Sequence, residues 1–275
     1  MNIEAASQSP SPADLSGHAR DFSVKDRVVL ITGSGQGIGR ELVRQFAAAG
    51  AVTVVADLSE KNAQGVAAEI AAAGGKTLAV AVDVSNKDSV DSMVKSALSE
   101  FGRIDVLVNN ASIFSNLKKR PFDEIPADEW QRVMDVNING VFFCASAVAM
   151  SMRERQFGRI INISSASVHR GTKNYLHYVT SKSALIGMTN SLARELGPDG
   201  VTANCIRPGT VATEVAERVA SLTPEIRQRN IDLQCIPRTI VPSDLVGLTM
   251  FLATPAASFI TGQTIACDGG YTHSF

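Results

Sequence analysis

The chain has 275 residues, a net charge of -1, and 45% hydrophobic against 19% charged residues. That balance buries a sizeable core and leaves no basic surface of the kind that nucleic acids or anionic membranes attract. No stretch approaches 18 uninterrupted apolar residues, the length that marks a membrane span.

Residues 1–22 are rich in Ser, Ala and Pro and contain no apolar core of a signal peptide, so they read as a disordered extension ahead of the fold. From Arg27 onward, short runs rich in Val and Ile alternate with longer Ala/Leu/Glu-rich segments. Predicted strands are Arg27–Thr32, Val52–Asp57, Thr77–Val82, Ile104–Asn109, Arg159–Ser164, Val201–Ile206 and Gln263–Cys267. Runs apolar throughout fit strands covered on both faces, and the intervening segments are long enough for crossover helices. The expected fold is α/β: one doubly wound, Rossmann-type domain over residues 23–275, with a seven-stranded, mostly parallel sheet and helices on both faces.

The first strand runs into Thr32-Gly33-Ser34-Gly35-Gln36-Gly37-Ile38-Gly39, followed by a helical pattern over Arg40–Ala49. Glycines allow a sharp turn and close approach to a pyrophosphate, which the next helix meets with free N–H groups and its positive dipole end. Asp57 closes the second strand, placed to accept from the adenosine ribose hydroxyls. It would also repel the 2′-phosphate of NADP: two charges about 5 Å apart at a dielectric near 20 interact by roughly 3 kcal/mol, about a hundredfold in affinity. Ser34, Gln36 and Leu58 offer no offsetting cation and Arg40 stands at an undefined angle, so the expected cofactor is NAD. Asp57 as a plain strand-end cap is the other reading.

The basic run Lys118-Lys119-Arg120 precedes Pro121 and reads as a solvated loop, with contact to an acidic substrate or partner as the alternative. Asn137 sits in Met134-Asp135-Val136-Asn137-Ile138-Asn139-Gly140. Ser165 ends an apolar strand, and Tyr178 and Lys182 stand four apart in the helical pattern Tyr175–Leu196, which stacks them on one face. Reduction of a ketone needs a proton on oxygen as well as a hydride on carbon. A phenol with an ordinary pKa near 10 must come down by about 4 kcal/mol to work at neutrality. An ammonium about 5 Å away supplies roughly 3 kcal/mol of that, and the positive ring of oxidised nicotinamide the remainder. Ser165 would donate to the substrate oxygen where charge develops. His177, about 100° round the helix from Tyr178, reads as structural. Between Pro208 and Pro242 the rhythm breaks into a polar excursion, expected to form short helices and, over about 211–240, a mobile substrate lid, with a plain surface decoration as the alternative.

With the glycine motif, Asn109-Asn110-Ala111, Asn137, Ser165, the Tyr178/Lys182 pair, Pro208-Gly209 and Asp268-Gly269-Gly270 in order, the chain resembles the short-chain dehydrogenase/reductase family from about residue 24 to 271. The resemblance implies that Lys182 also holds the nicotinamide ribose and that Asn137 keeps a proton-relaying water. It further implies that Asp83 and Val84 meet the adenine, that Asn110 lies beside the adenosine ribose, and that Val211 and Thr213 grip the carboxamide beyond Pro208-Gly209. Ser112 departs from the family's usual glycine. A spacing of four between Tyr178 and Lys182 is unlike the enoyl reductases of this fold.

Substrate walls are expected from Ile113–Arg120, Ala166–Tyr175 and the lid, including Phe114, Val168, His169, Lys173, Asn174 and Tyr175. The segments Ile236-Pro237-Arg238 and Phe259–Gln263 resemble members acting on cyclic or aryl secondary alcohols. The expected activity is therefore NAD-dependent exchange of a hydride between such an alcohol and its ketone. A non-catalytic dinucleotide sensor or scaffold, and an epimerase or dehydratase of the same fold, are the alternatives. Apolar residues on several faces of Asp128–Arg155 and Tyr175–Leu196 suggest a homotetramer, with a dimer second. Cys144, Cys205, Cys235 and Cys267 include no C-x-x-C pair, which suits a reducing, cytoplasmic setting. His18, His169, His177 and His273 lack metal-ligand spacing, so no protein-bound metal is expected.

Overall fold

The computed structural model describes residues 21–218 and 223–273. Seven strands form one sheet in the order β3-β2-β1-β4-β5-β6-β7: β1 Val28–Thr32, β2 Val52–Asp57, β3 Thr77–Ala81, β4 Val106–Asn109, β5 Gly158–Ile163, β6 Val201–Pro208 and β7 Thr264–Cys267. Every pairing is parallel, so the sheet, expected to be mostly parallel, is parallel throughout among the described residues. The seven predicted strands all form, with ends shifted by a residue or two.

Side chains alternate cleanly between the two faces. Val28 and Leu30 join the core under α3 (Lys87–Phe101), α5 (Gly140–Glu154) and α7 (Leu176–Leu196). Val29 and Ile31 join the one under α1 (Gly37–Ala48), α2 (Glu60–Ala72) and α10 (Val246–Ala253). The period of two puts successive residues on opposite faces, and helices cover both.

Strand order reverses between β1 and β4, which opens a crevice at the carboxyl ends of the strands, the usual ligand position in such sheets. The predicted helix at 128–155 is interrupted: α4 (Ala127–Met134) passes through a π turn at Asp135–Asn139 before α5 begins. The helical run 127–154 contains an 18-residue stretch of mean hydropathy 1.5, long and apolar enough to cross a membrane. Its residues Cys144, Ala145, Val148 and Met152 instead pack into the core. Phe142 and Met150 face outward, 54% and 71% exposed.

Two boundaries change. Residues 1–20 of the predicted extension lie outside the described residues, but Asp21 and Phe22 belong to the fold. The Asp21 carbonyl accepts from Ala256 N at 3.1 Å, and Phe22 stacks on Phe251 of α10. The excursion after β6 is closed at its base by a parallel bridge between Val211 and Ile240, with Ala212 N donating to Ile240 O at 2.8 Å. Inside it lie α8 (Glu214–Glu217) and α9 (Pro224–Asp232).

Candidate active site

The turn after β1 has the geometry its glycines predict. Gly33 and Gly37 have φ of +63° and +56°, a left-handed backbone that side chains rarely adopt, and a Cβ at Gly39 would lie 2.3 Å from Gly33 O. Asp57 closes β2 with its Oδ2 accepting from Gly35 N at 2.8 Å and its Oδ1 from Ser59 N at 2.9 Å. It is thus a cap, as the plainer reading had it, yet each oxygen retains a lone pair for a ribose hydroxyl. No acidic residue stands in the first turn of α1. One comes from the excursion after β6 instead: Glu214 Oε1 accepts from Gly37 N at 2.9 Å. Burial works against the Glu214 carboxylate, but the Gly37 bond and the charges of Arg40 and Arg218 hold it below the ordinary range. That N–H therefore binds an oxyanion supplied by the chain itself, which fits it to a dinucleotide's phosphates. Arg40 is committed to Glu69 at 2.8 Å, on α2.

Across the crevice, β5 and α7 form a buried wall. Ser164 Oγ donates to Lys182 O at 2.7 Å, and Lys182 Nζ donates to Ile163 O at 2.8 Å, so the end of the strand and the helix clasp each other around the lysine. Lys182 Nζ sits 5.9 Å from the centre of the Tyr178 ring. The expected pull of this ammonium is not what governs the phenol. Burial pushes Tyr178 up to about 12, and a hydrogen bond with Ser165 opposes it. Burial also brings Lys182 down to about 8. The physical reason is desolvation, which penalises both charged forms when the groups are enclosed.

Asn137, fully buried in the π turn, holds the loop after β4. Its Oδ1 accepts from Ile113 N at 2.8 Å, and its Nδ2 donates to Ser181 Oγ at 3.0 Å and Ile113 O at 3.3 Å. These bonds use both amide hydrogens and leave one Oδ1 lone pair, so a water relay would fall to that oxygen or to the backbone. His177 is turned away as expected: Nδ1 accepts from Tyr178 N at 3.0 Å, and Nε2 faces Glu129 Oε1 at 3.3 Å.

A cavity of about 430 Å³ joins the two sides. Gly33, Gln36, Gly37, Ile38, Asp57 and Asn110 line one end; Ser165, Tyr178, Lys182, Pro208, Gly209, Val211 and Thr213 are among the residues that line the rest. Asn110 uses its amide to hold the glycine turn, donating to the carbonyls of Thr32 and Gly33 at 3.0 Å each. Thr213 caps α8 by accepting from Ala216 N at 3.0 Å. Five predicted cofactor contacts lie off the lining, Gly39 among them, packed against Gly33 O. Ser34 turns its hydroxyl inward to Ile31 O at 2.7 Å. Val84 packs against Gly140 of α5. Asp83 accepts from Ser85 at the approach to α3, and Leu58 stands 74% exposed beside Asp57.

A family model described as enoyl-(acyl carrier protein) reductase matches residues 33–272. The short-chain reductase protein NovJ of Streptomyces niveus is 37% identical over 265 residues, 94% of this chain and 98% of that one. The chain belongs to the short-chain dehydrogenase/reductase family. Within that family it is also 40% identical to a 3-oxoacyl-[acyl-carrier-protein] reductase of Synechocystis over 89% of this chain and 96% of that one. Among solved structures, a 7α-hydroxysteroid dehydrogenase complexed with NADH and 7-oxo glycochenodeoxycholic acid superposes with a TM-score of 0.85 at 32% identity, covering 90% of this chain and 95% of that one.

In this short-chain dehydrogenase/reductase two features lie outside the sequence expectations and a third sharpens one of them. Glu214 reaches Gly37 from far along the chain, and no local pattern marks it. Ser181, between Tyr178 and Lys182, donates to Tyr178 O at 2.8 Å and accepts from Asn137. Phe114 and Tyr175 border the phenol, with ring centres 5.3 Å and 5.0 Å from that of Tyr178. The last two were legible in part, since Ser181 lies inside the motif and both aromatics lay in predicted walls.

Proposed function

We propose that the protein is an NAD-dependent oxidoreductase that interconverts a secondary alcohol, cyclic or aryl, and its ketone. One juxtaposition carries the reading: Tyr178, hydrogen-bonded to Ser165 and backed by Lys182, opens into the same cavity as the glycine turn and Asp57. A bound nicotinamide supplies the hydride in reduction and accepts it in oxidation. In reduction the Tyr178 O–H bond breaks as an O–H bond forms on the substrate, and the phenolate regains its proton from solvent. Ser165 donates to the same substrate oxygen as charge builds there. Burial keeps Tyr178 protonated at neutrality, so the chain holds it ready as an acid. In oxidation the phenol must first lose its proton, and the charge of Lys182 favours that loss.

Asp57, with Arg40 engaged elsewhere, supports NAD over NADP. The aromatic shelf of Phe114, Tyr175 and Tyr178 supports a ring-bearing substrate. Outward Phe142 and Met150 on α5 support a homotetramer, which light scattering at micromolar concentration would refute by finding a monomer. Free cysteines suit a cytoplasmic setting. The test is NADH absorbance with a panel of secondary alcohols, ketones, and 3-oxoacyl and 2-enoyl thioesters, comparing wild type with Tyr178→Phe. Turnover of cyclic or aryl ketones that the variant loses supports the reading. A narrow preference for long-chain acyl thioesters, or cofactor binding without turnover of anything, overturns it.

A further inference from the structure

The substrate half of the cleft is cationic. Lys119, Arg170 and Arg229 line the cavity that holds Tyr178 and Lys182, while the one carboxylate on its lining among the described residues, Asp57, lies at the glycine-turn end and already accepts from Gly35 and Ser59. Among the described residues none of the three cations makes an ion pair. Three separate elements deliver them. Arg170 ends α6 (Ser167–Arg170), just beyond Ser165; Arg229 lies in the last turn of α9; Lys119 lies in the loop before Pro121.

Packing fixes two of them beside each other. The Arg170 guanidinium lies 4.7 Å from the centre of the Tyr271 ring. Tyr271 donates its hydroxyl to Asn230 Oδ1 at 3.2 Å, and Asn230 Nδ2 donates to Thr210 Oγ1 at 3.2 Å. Asn230 adjoins Arg229 in α9, so the latch that docks the lid also sets Arg229 near Arg170. Burial first, and the charge of Arg229 second, hold the Arg170 guanidinium below its ordinary range. On the aromatic side, Lys119 Nζ hangs 5.8 Å from the Tyr175 ring centre, and Tyr175 borders Tyr178. Like charges gathered on one wall repel, and an anion seated among them relieves that repulsion. The dinucleotide's phosphates are not that anion: their place is the start of α1, where Glu214 now sits.

We propose that Arg170 and Arg229, with Lys119 at the outer edge, form a subsite for an anionic group of the substrate, a carboxylate or a phosphate carried beyond the reacting carbon. The subsite rests on the oxidoreductase reading, because the anion is placed on the molecule whose carbonyl faces Tyr178. Arginine forks bind either oxyanion through paired hydrogen bonds. An aryl or cyclic hydroxy acid fits the combination of aromatic shelf and cationic rim.

The test is calorimetric titration of the full chain with benzoate, phenyl phosphate and neutral benzamide, each with and without NADH. At least one anion is expected to bind about tenfold or more tighter than benzamide, with a margin that shrinks as salt rises. An Arg170→Met/Arg229→Met double variant should lose that margin while NADH affinity stays within about twofold of wild type. Preference for benzoate assigns a carboxylate, and preference for phenyl phosphate assigns a phosphate. Equal binding of benzamide, no anion binding at millimolar concentration, or a margin that survives the double variant overturns the subsite. Failure to bind NADH strikes instead at the oxidoreductase reading, and the titrations without NADH still decide the anion question.

Discussion

The wall made by β5 and α7 and the lid after β6 face the same cleft but are built in opposite ways. In the wall every residue of β5 is buried, and its polar groups interlock: Asn109 Nδ2 donates to Asn162 Oδ1 and Asn162 Nδ2 to Thr189 Oγ1, each at 2.9 Å. In the lid α9 buries no residue and α8 buries only Ala216. The lid hangs from the Val211–Ile240 bridge, the Glu214–Gly37 bond and the Asn230 latch. Dense packing fixes atoms to the tolerance that proton transfer needs. Sparse contacts leave the lid at the low-stability end of the molecule, where ligand gates are drawn. On the proposed reading chemistry belongs to the wall, access and selection to the lid, and substitutions should separate the two.

The sharpest separation comes from Tyr178→Phe. Removing the phenol takes away the transferred proton and should lower kcat by about a thousandfold, the middle of the range for general acid–base catalysis. NADH binding, read by fluorescence titration, should stay near wild type because the ring still packs against Phe114 and Tyr175. A variant that keeps a tenth of its activity would remove the wall from the chemistry.

A second substitution probes the far end of the cleft. Asp57→Asn removes the charge while keeping an acceptor for Gly35, and the ratio of kcat/KM with NADP to that with NAD should rise by about a hundredfold, from roughly 3 kcal/mol of relieved repulsion. An unchanged ratio would mean that the carboxylate is only a cap.

These two sites were legible in sequence for the same reason: each is written within a few residues, as strand, glycines and helix, or as Tyr178 and Lys182 one turn apart. The sheet was legible too, because strands buried on both faces are short Val/Ile runs. What escaped depends on partners far apart in the chain. Glu214 meets Gly37 only after β6 has crossed the sheet, and Arg170 meets Arg229 only because Tyr271 and Asn230 bring the tail and lid together. The π turn at Asp135–Asn139 escaped because its residues fit an ordinary helix; only the packing of Asn137 on Ile113 shows why the helix is widened there. The direction of the Tyr178 shift escaped because spacing reports neighbours but not burial.

That shift gives a pH test of intermediate size. Oxidation needs the phenolate, and a phenol raised to about 12 is almost wholly protonated at neutrality. The oxidation rate should therefore climb with pH from neutrality, by up to about tenfold per pH unit while Lys182 keeps its charge. Lys182, brought down to about 8, loses that charge as pH passes its pKa, so the climb should bend near there. Reduction uses the protonated phenol and should be level through neutrality. A flat oxidation profile would show that the wall's burial does not control the proton.

The smallest expected effect lies in the lid. Glu214 places a carboxylate on the Gly37 N–H, at the start of α1 where the dinucleotide's phosphates belong, so cofactor and side chain compete for one donor. Glu214→Gln keeps an oxygen able to accept from Gly37 but removes the charge that favours the helix N-terminus, an interaction worth about 0.3–1 kcal/mol. The Kd for NAD should fall by about threefold, which corresponds to roughly 0.7 kcal/mol, with kcat/KM for the alcohol rising no more than that. Because the competition is local, Tyr178 and Lys182 should be untouched and the pH profile of oxidation should keep its shape. Weaker NAD binding in this variant would reverse the assignment: Glu214 would then help to hold the lid in its cofactor-ready position, and the glycine turn would need it.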